Sequence, residues 1–403
     1  MHCLWPQSWW PPFGYFVDIY DLLLFSIVRI SSLKSLGLLG NDATSTGIFL
    51  LNIQMAGLIL GGIFWGILGD KKGRLNVLFG CILLYSVANI ANGLVNNIQA
   101  YAIFRFIAGF GLAGELGAGV TLVVELMPSG ERGYATTIIA GVGIFGAVVA
   151  HFVADLFQWR TAFFIGGGLG LCLLFLRIGV AESSLFNGIK KSGKRNGDFL
   201  MLFADRVRFM KYLNCILMGL PLWFGVGILI TLSPEFARAM RVHGEVDAGI
   251  AIACCYGGTV IGDICSGLLS QFLRSRKKAV YVFLTLIAIA MGLYLSFSEL
   301  SLFAFYASCT FFGFAAGYWV LFLTIAAEQF GTNIRSTVTT TVPNFVRGAV
   351  IPLSFIFQYL RSAFSGSLLL PGLLVGLLTL ILAFWAVYRT RETFHMDLDY
   401  IEK

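Results

Sequence analysis

The chain has 403 residues, 58% of them hydrophobic and only 12% charged, with a net charge of +7 and a mean hydropathy of +0.83. Soluble globular domains carry about a quarter charged residues, so that class is excluded. The positive balance lies in the connections between apolar runs, which is a topological bias and not a nucleic-acid footprint.

A span needs roughly 20 apolar residues to cross about 30 Å of hydrocarbon. Twelve are expected, at 6–29, 46–68, 76–96, 99–126, 134–157, 161–180, 212–234, 248–273, 279–297, 301–327, 338–360 and 366–388. The start, Met1–Pro12, holds Trp5, Trp9 and Trp10, an interfacial belt, but no basic signal-peptide region. In the first span stand Asp18 and Asp21. Their spacing puts both on one helical face, and ionisable groups at membrane depth face a cavity or a partner. The pair suits a proton carrier; a structural pair held by helix ends or an Arg is the alternative.

Between the second and third spans runs Gly66–Arg74 (GILGDKKGR). Gly66 and Gly73 allow close helix approach, Asp70 can cap the next helix, and Lys71, Lys72 and Arg74 hold the turn in the cytoplasm. A degraded copy, Gly267–Lys277 (GLLSQFLRSRK), returns about 200 residues later with Gln271 in place of the acid. Glu125–Arg132 (ELMPSGER) and Glu328–Arg335 (EQFGTNIR) recur at nearly the same offset. Two halves repeat one plan, which marks a secondary transporter. Glu125, Arg132, Glu328 and Arg335 join Gly66, Asp70, Gly73 and Arg74 as candidate gating residues.

Arg105 opens the fourth span and needs an acidic or carbonyl partner; the first span's carboxylates are the natural candidates. Gly109–Gly114 (GFGLAG) matches a dinucleotide fingerprint only in letters, because no strand precedes it. Glu115 lines the cavity or braces the bundle. His151 and Asp155, four apart, read as a pair holding an outer helix end. Ser183–Lys211 is the most polar internal stretch and reads as a linker. In the second half, Asp263 and Arg347 stand within spans: Arg347 can bind a substrate carboxylate at two points, or the two can simply pair. Trp223, Tyr256, Tyr318 and Trp319 can contact substrate or pack as ordinary helix residues. Seven of the eight cysteines lie in spans and Cys3 stands alone, so neither a disulfide framework nor a zinc site is indicated.

Gly66–Arg74 resembles the loop signature of the major facilitator superfamily. Gly14–Leu22 (GYFVDIYDL) and Arg105–Arg132 resemble the first and fourth helices of its metabolite:proton symporters, and Trp159-Arg160 with Arg177 before Glu182-Ser183 resembles that group and the sugar porters. The resemblance implies twelve helices around a central cavity, alternating access, and proton coupling through Asp18, Asp21, Arg105 and Glu115.

The expected fold is an all-α membrane protein of two pseudo-symmetric six-helix bundles, 1–182 and 212–388, joined by a cytoplasmic linker, 183–211, with a cytoplasmic tail, 389–403. The expected function is proton-coupled symport of a small organic acid, zwitterion or sugar across the inner membrane, by a monomer with both termini inside. Its partners are substrate, protons and membrane lipid, with no nucleic acid, cofactor or metal. An exporter or a nutrient sensor is the alternative; an enzyme is not expected, since no nucleophile–base constellation emerges.

Overall fold

The computed structural model describes residues 10–72, 74–115, 117, 132–184, 199–331 and 334–394. Among them the secondary structure is helical, with one isolated bridge between His243 and Ser301. The N-terminal half contributes α1 (Trp10–Ser35), α2 (Gly40–Lys72), α3 (Arg74–Leu94), α4 (Ile98–Leu112), α5 (Arg132–Leu156) and α6 (Trp159–Ser184). The C-terminal half contributes α7 (Arg206–Phe224), α8 (Ala248–Phe272), α9 (Arg276–Ser296), α10 in two pieces (Leu302–Ala316 and Trp319–Glu328), α11 in two pieces (Arg335–Gly348 and Val350–Ala363) and α12 (Leu369–Arg389).

Nine helices among the described residues are long and apolar enough to cross a membrane. The other three spans are α1, which carries Asp18, Asp21 and Arg29, and α4 and α5, whose apolar stretches are the shorter Ile98–Leu112 and Phe145–Leu156. Helix starts are fixed by side-chain caps that satisfy orphan amides. Asn97 receives Ala100 N at 2.7 Å, Asp247 receives Ile250 N at 2.9 Å, and Ser275 and Ser301 cap α9 and α10. Asp205 caps α7 through Val207 N and Arg208 N, so that helix begins ahead of the expected 212. Helix α2 runs for 33 residues, about 50 Å at 1.5 Å per residue, and overshoots the bilayer core.

The packing repeats by halves. Helices α1 and α5, α2 and α4, and α3 and α6 pair in the first half; α7 and α11, α8 and α10, and α9 and α12 pair in the second. Between the halves α2 lies on α11 and α5 on α8, which is the exchange a pseudo-two-fold axis demands. Glycines set the closest of these pairings. A Cβ on Gly57 or Gly61 of α2 would strike the carbonyls of Phe106 and Phe110 on α4. One on Gly258 or Gly262 of α8 would strike those of Thr310 and Phe314 on α10. In both halves, small residues one turn apart let two backbones touch.

Three C-half helices are interrupted. Helix α7 contains Pro221 and then widens into a π-turn, Gly225–Ile230, closed by Thr231 N donating to Val226 O at 3.2 Å. Proline removes a ladder bond, and a π-turn is one way the ladder recovers. Helix α10 breaks at Gly317 and Tyr318, and α11 at Ala349.

Candidate functional site

The charged residues singled out in the spans run from the interior of the N-terminal half, at Arg105 and Asp21, to the seam between the halves, where Asp18 faces Arg347. Asp18 (5% exposed), Asp21, Arg105, Glu115, Asp263 and Arg347 are all buried. Asp18 faces Glu115, Arg347 and Asp21. Asp21 faces Arg105, Asn89 and Glu115, and its carboxylate abuts Gly166 of α6. Glu115 is the nearest polar neighbour of the Asp18 carboxyl and Asn89 that of Asp21, and neither contact has ordinary hydrogen-bond geometry. Helix α1 thus presents two acids to a guanidinium in each half: Arg105 near Asp21, and Arg347 near Asp18.

Arg105 hydrogen-bonds to Gln54 Oε1 of α2, and its guanidinium lies 4.6 Å from the Phe25 ring and 5.9 Å from that of Phe163. The expected carboxylate is therefore an electrostatic neighbour, and the direct partner is an amide that sequence reasoning missed. Tyr101, Trp159 and Phe163 pack around the same arginine's outer side. Gln54 is a polar residue inside an apolar run, which was the available signal.

In the C-half, Arg347 lies against a pair of indoles, 5.3 Å from Trp223 and 5.6 Å from Trp319, whose own rings meet edge to face at 6.0 Å. Its guanidinium hydrogen-bonds to none of the described residues, and Nε is fully enclosed. The simple Asp263–Arg347 pair does not form. Asp263 Oδ1 instead accepts from Val320 N at 3.2 Å, an amide released by the break in α10, and Oδ2 stays without a donor. Tyr15 of α1 lies beside Trp319, Arg347, Asp263 and Asp18. Tyr256 faces Tyr15 and Arg347. Tyr318 is turned away, donating to Met218 O at 2.8 Å and tying the α10 break to α7.

Contacts between the halves exist at both ends of this cluster. At the end that carries the Gly66 turn, Gly66 packs on Thr337, Thr340 and Thr341, and Asn344 Nδ2 donates to Ala113 O at 2.8 Å. At the opposite end, Asn52 and Ser354 exchange hydrogen bonds at 2.7 and 3.0 Å. Arg29 Nη2 meets both Glu235 oxygens at 2.8 and 3.0 Å and the Thr231 carbonyl at 3.3 Å, while Thr44 Oγ1 donates to Glu235 at 3.2 Å. This ion pair was not foreseen. Its signal was a lone cation and a lone acid, each near the outer end of a span. His151 likewise faces Asp247 across the halves at 3.9 Å, in place of the expected Asp155.

Of the gating residues, Gly73 and Glu125, and the side chains of Asp70, Arg74 and Arg132, lie outside the described residues. In the second half Glu328 accepts from Arg276 at 3.3 Å and from Thr393 at 2.7 Å, and Arg335 Nε donates to Ala327 O at 3.1 Å. Glu392, just beyond α12, receives Ser275 Oγ and the amides of Arg276 (2.9 Å) and Lys277 (3.4 Å), so a carboxylate sits on the N-terminus of α9. Partial burial pushes its carboxyl up, but the hydrogen bonds from Ser275, Phe394, Arg276 and Lys277 outweigh that and hold it below its ordinary value. A lowered folded-state pKa stabilises above the ordinary value of 4.5 and is lost as pH falls through the lowered one. Protection of the amides of residues 390–394 from hydrogen exchange, relative to the unfolded chain at the same pH, is therefore expected to be high at neutral pH, to be lost on acidification below the ordinary glutamate value, and to be low at both pH values in Glu392→Gln.

The Major Facilitator Superfamily model matches residues 13–354. The sialic acid transporter NanX of Escherichia coli (strain K12) is 26% identical over 280 residues, 68% of this chain and 66% of that protein. The niacin transporter NiaP of Acinetobacter baylyi is 32% identical over 163 residues, 40% of this chain and 36% of that one. The chain thus spans just under two thirds of the first relative and about a third of the second. Among solved structures, the proton:xylose symporter XylE bound to 6-bromo-6-deoxy-D-glucose superposes with a TM-score of 0.75 at 15% identity, covering 97% of this chain and 96% of that one. These relatives are transporters, not enzymes. With two six-helix halves, a family match across most of its length and the same fold, this chain belongs to the Major Facilitator Superfamily.

Proposed function

We propose that the chain is a secondary active transporter that couples inward proton movement to uptake of a small organic anion, with both termini on the cytoplasmic side of the inner membrane and the monomer as the working unit. Arg347 carries this reading. A buried guanidinium set against two indoles, with donors that no described protein group takes up, suits a planar carboxylate bound at two points. Trp223, Trp319, Tyr256 and Tyr15 supply flat apolar walls beside it, and Asp263 supplies an acceptor for a substrate hydroxyl or amine. The names of the relatives agree in chemistry, since sialic acid, niacin, gentisate and benzoate all carry a carboxyl group. The proton enters through α1. A buried acid next to a cation in each half can exchange a proton for an arginine contact as the halves rearrange.

The test is uptake of labelled nicotinate, benzoate and N-acetylneuraminate into proteoliposomes with an acidic exterior. At least one acid should accumulate, and a protonophore should abolish accumulation. Arg347→Gln should lower its apparent affinity by at least tenfold, since a charge-assisted bidentate contact contributes about 1.5–3 kcal/mol. Equal uptake by wild type and empty liposomes for all three acids would reject the anionic reading.

A further inference from the structure

Helix α3 carries a polar strip that the transport reading has not used. Ser86, Asn89 and Asn92 are completely buried, and they follow one another at three-residue intervals along one flank of the helix. The Ser86 hydroxyl and both amide heteroatoms of Asn92 find no hydrogen-bond partner among the described residues, and the Asn89 amide has only the Asp21 carboxylate beside it. One such group is tolerable; a row of them inside an apolar bundle is not, unless water completes their bonding. The strip has a direction. Asn89 faces Asp21, and Asn92 stands about 4.5 Å nearer the outer end at 1.5 Å per residue. Beyond α3, Asn96 and Asn97 are exposed, and Arg160 pins that turn through the carbonyls of Gly93 at 3.1 Å and Val95 at 2.7 Å. The carboxylate of Asp21 is otherwise shut in, by Tyr20 of its own helix, by Arg105 of α4, by Glu115 beyond its end, and by Gly166 of α6.

We propose that Ser86, Asn89 and Asn92 hold a short chain of water inside the N-terminal half, and that protons reach Asp21 along it from the outer face, apart from the substrate's route between the halves. Each amide holds a water that donates to its carbonyl or accepts from its NH2 group, and these waters hydrogen-bond to one another along the roughly 4.5 Å of helix rise between successive side chains. A proton entering at the outer end passes from water oxygen to water oxygen, each oxygen releasing one proton as it takes one, and the last water delivers one to the Asp21 carboxylate, so charge and atoms balance. The asparagines themselves are not protonated; they orient the water. The route lets the coupling acid change state while the substrate site is closed.

The inference rests on Asp21 as the proton carrier, and the test separates the two. Infrared difference spectra after a pH jump on the reconstituted full-length protein read carboxyl protonation without any substrate. The Asp21 band is assigned by its loss in Asp21→Asn. Asn89→Leu and Asn92→Leu should slow the appearance of that band at least tenfold, with unchanged final amplitude and unchanged thermal midpoint. Asn92→Ser, which leaves room and polarity for water, should recover most of the rate. Wild-type rates in both leucine variants would overturn the route alone. A wild-type spectrum with no Asp21 band would overturn the coupling reading and the route with it. Should either leucine variant fold poorly, Asn89→Ser and Asn92→Ser compared in H2O and D2O decide by whether a solvent isotope effect on the rate survives.

Discussion

Asp21→Asn is expected to abolish accumulation driven by a proton gradient while leaving substrate exchange across the membrane at a rate near wild type. The substitution keeps the shape of a protonated carboxyl group and removes the charge that faces Arg105. Exchange needs only that the loaded transporter open alternately to each side. Net uptake needs the empty transporter to return, and that return is where a proton must leave. The variant should therefore pass labelled acid in counterflow but show a gradient-driven steady state at least a hundredfold lower, the equivalent of about 2.7 kcal/mol of lost coupling. Proteoliposomes measured in both modes decide it. Full accumulation by the variant would move the proton step to Asp18 or Glu115.

Glu235→Gln is expected to open the outer face. The Arg29–Glu235 pair joins α1 of one half to the short helix Ser233–Ala239 of the other, with Thr44 of α2 as a further donor. Both partners are buried, Arg29 almost completely. Removing one member of such a pair leaves the other charge uncompensated and costs about 3–5 kcal/mol, whereas replacing both by apolar residues of similar volume is often neutral. Because the pair exists only while the outer ends are together, that cost falls on the closed state. A shift of that size changes the ratio of outward-open to outward-closed molecules by more than a hundredfold. Spin labels at positions 41 and 361, whose native Asn and Arg hydrogen-bond at 2.9 Å, report the separation. The single variant should show a long-distance population absent from wild type. Arg29→Met combined with Glu235→Met should return toward the wild-type distribution. A double variant as open as the single one would mean that the pair does not hold the closure.

The sequence carries the architecture and the identity of the charged groups better than their partners. Twelve apolar runs, the repeated loop and the acids of α1 are legible because each is a local departure from an apolar background, and membrane burial makes such departures costly. Pairing across the chain is not local. Glu235 meets Arg29 only because the pseudo-two-fold arrangement brings the outer ends of α1 and α7 together. Asp263 and Arg347 look like a pair until the break at Gly317 and Tyr318 offers the aspartate a backbone amide instead. Asn89 and Asn92 drew no notice as single polar residues in an apolar run; their meaning lies in the shared flank and in facing Asp21. Arg105 needs an acidic or carbonyl partner; charge favours the first span's carboxylates, and the fold sets the Gln54 side-chain carbonyl nearer.

The glycine contacts within each half have a mechanical consequence. Where Gly57 and Gly61 let α2 rest on the carbonyls of α4, and Gly258 and Gly262 do the same for α8 on α10, backbone meets backbone with no side chain between to rotate away. Such a contact neither slides nor tilts without collision, so each half behaves as a stiff plate. Across the α2–α11 seam Asn52 and Ser354 meet through side chains that can change partners, and His151 of α5 meets Asp247 at the start of α8 in the same way. Motion is thereby expected at these seams, and the Asp18–Arg347 approach lies between the two plates.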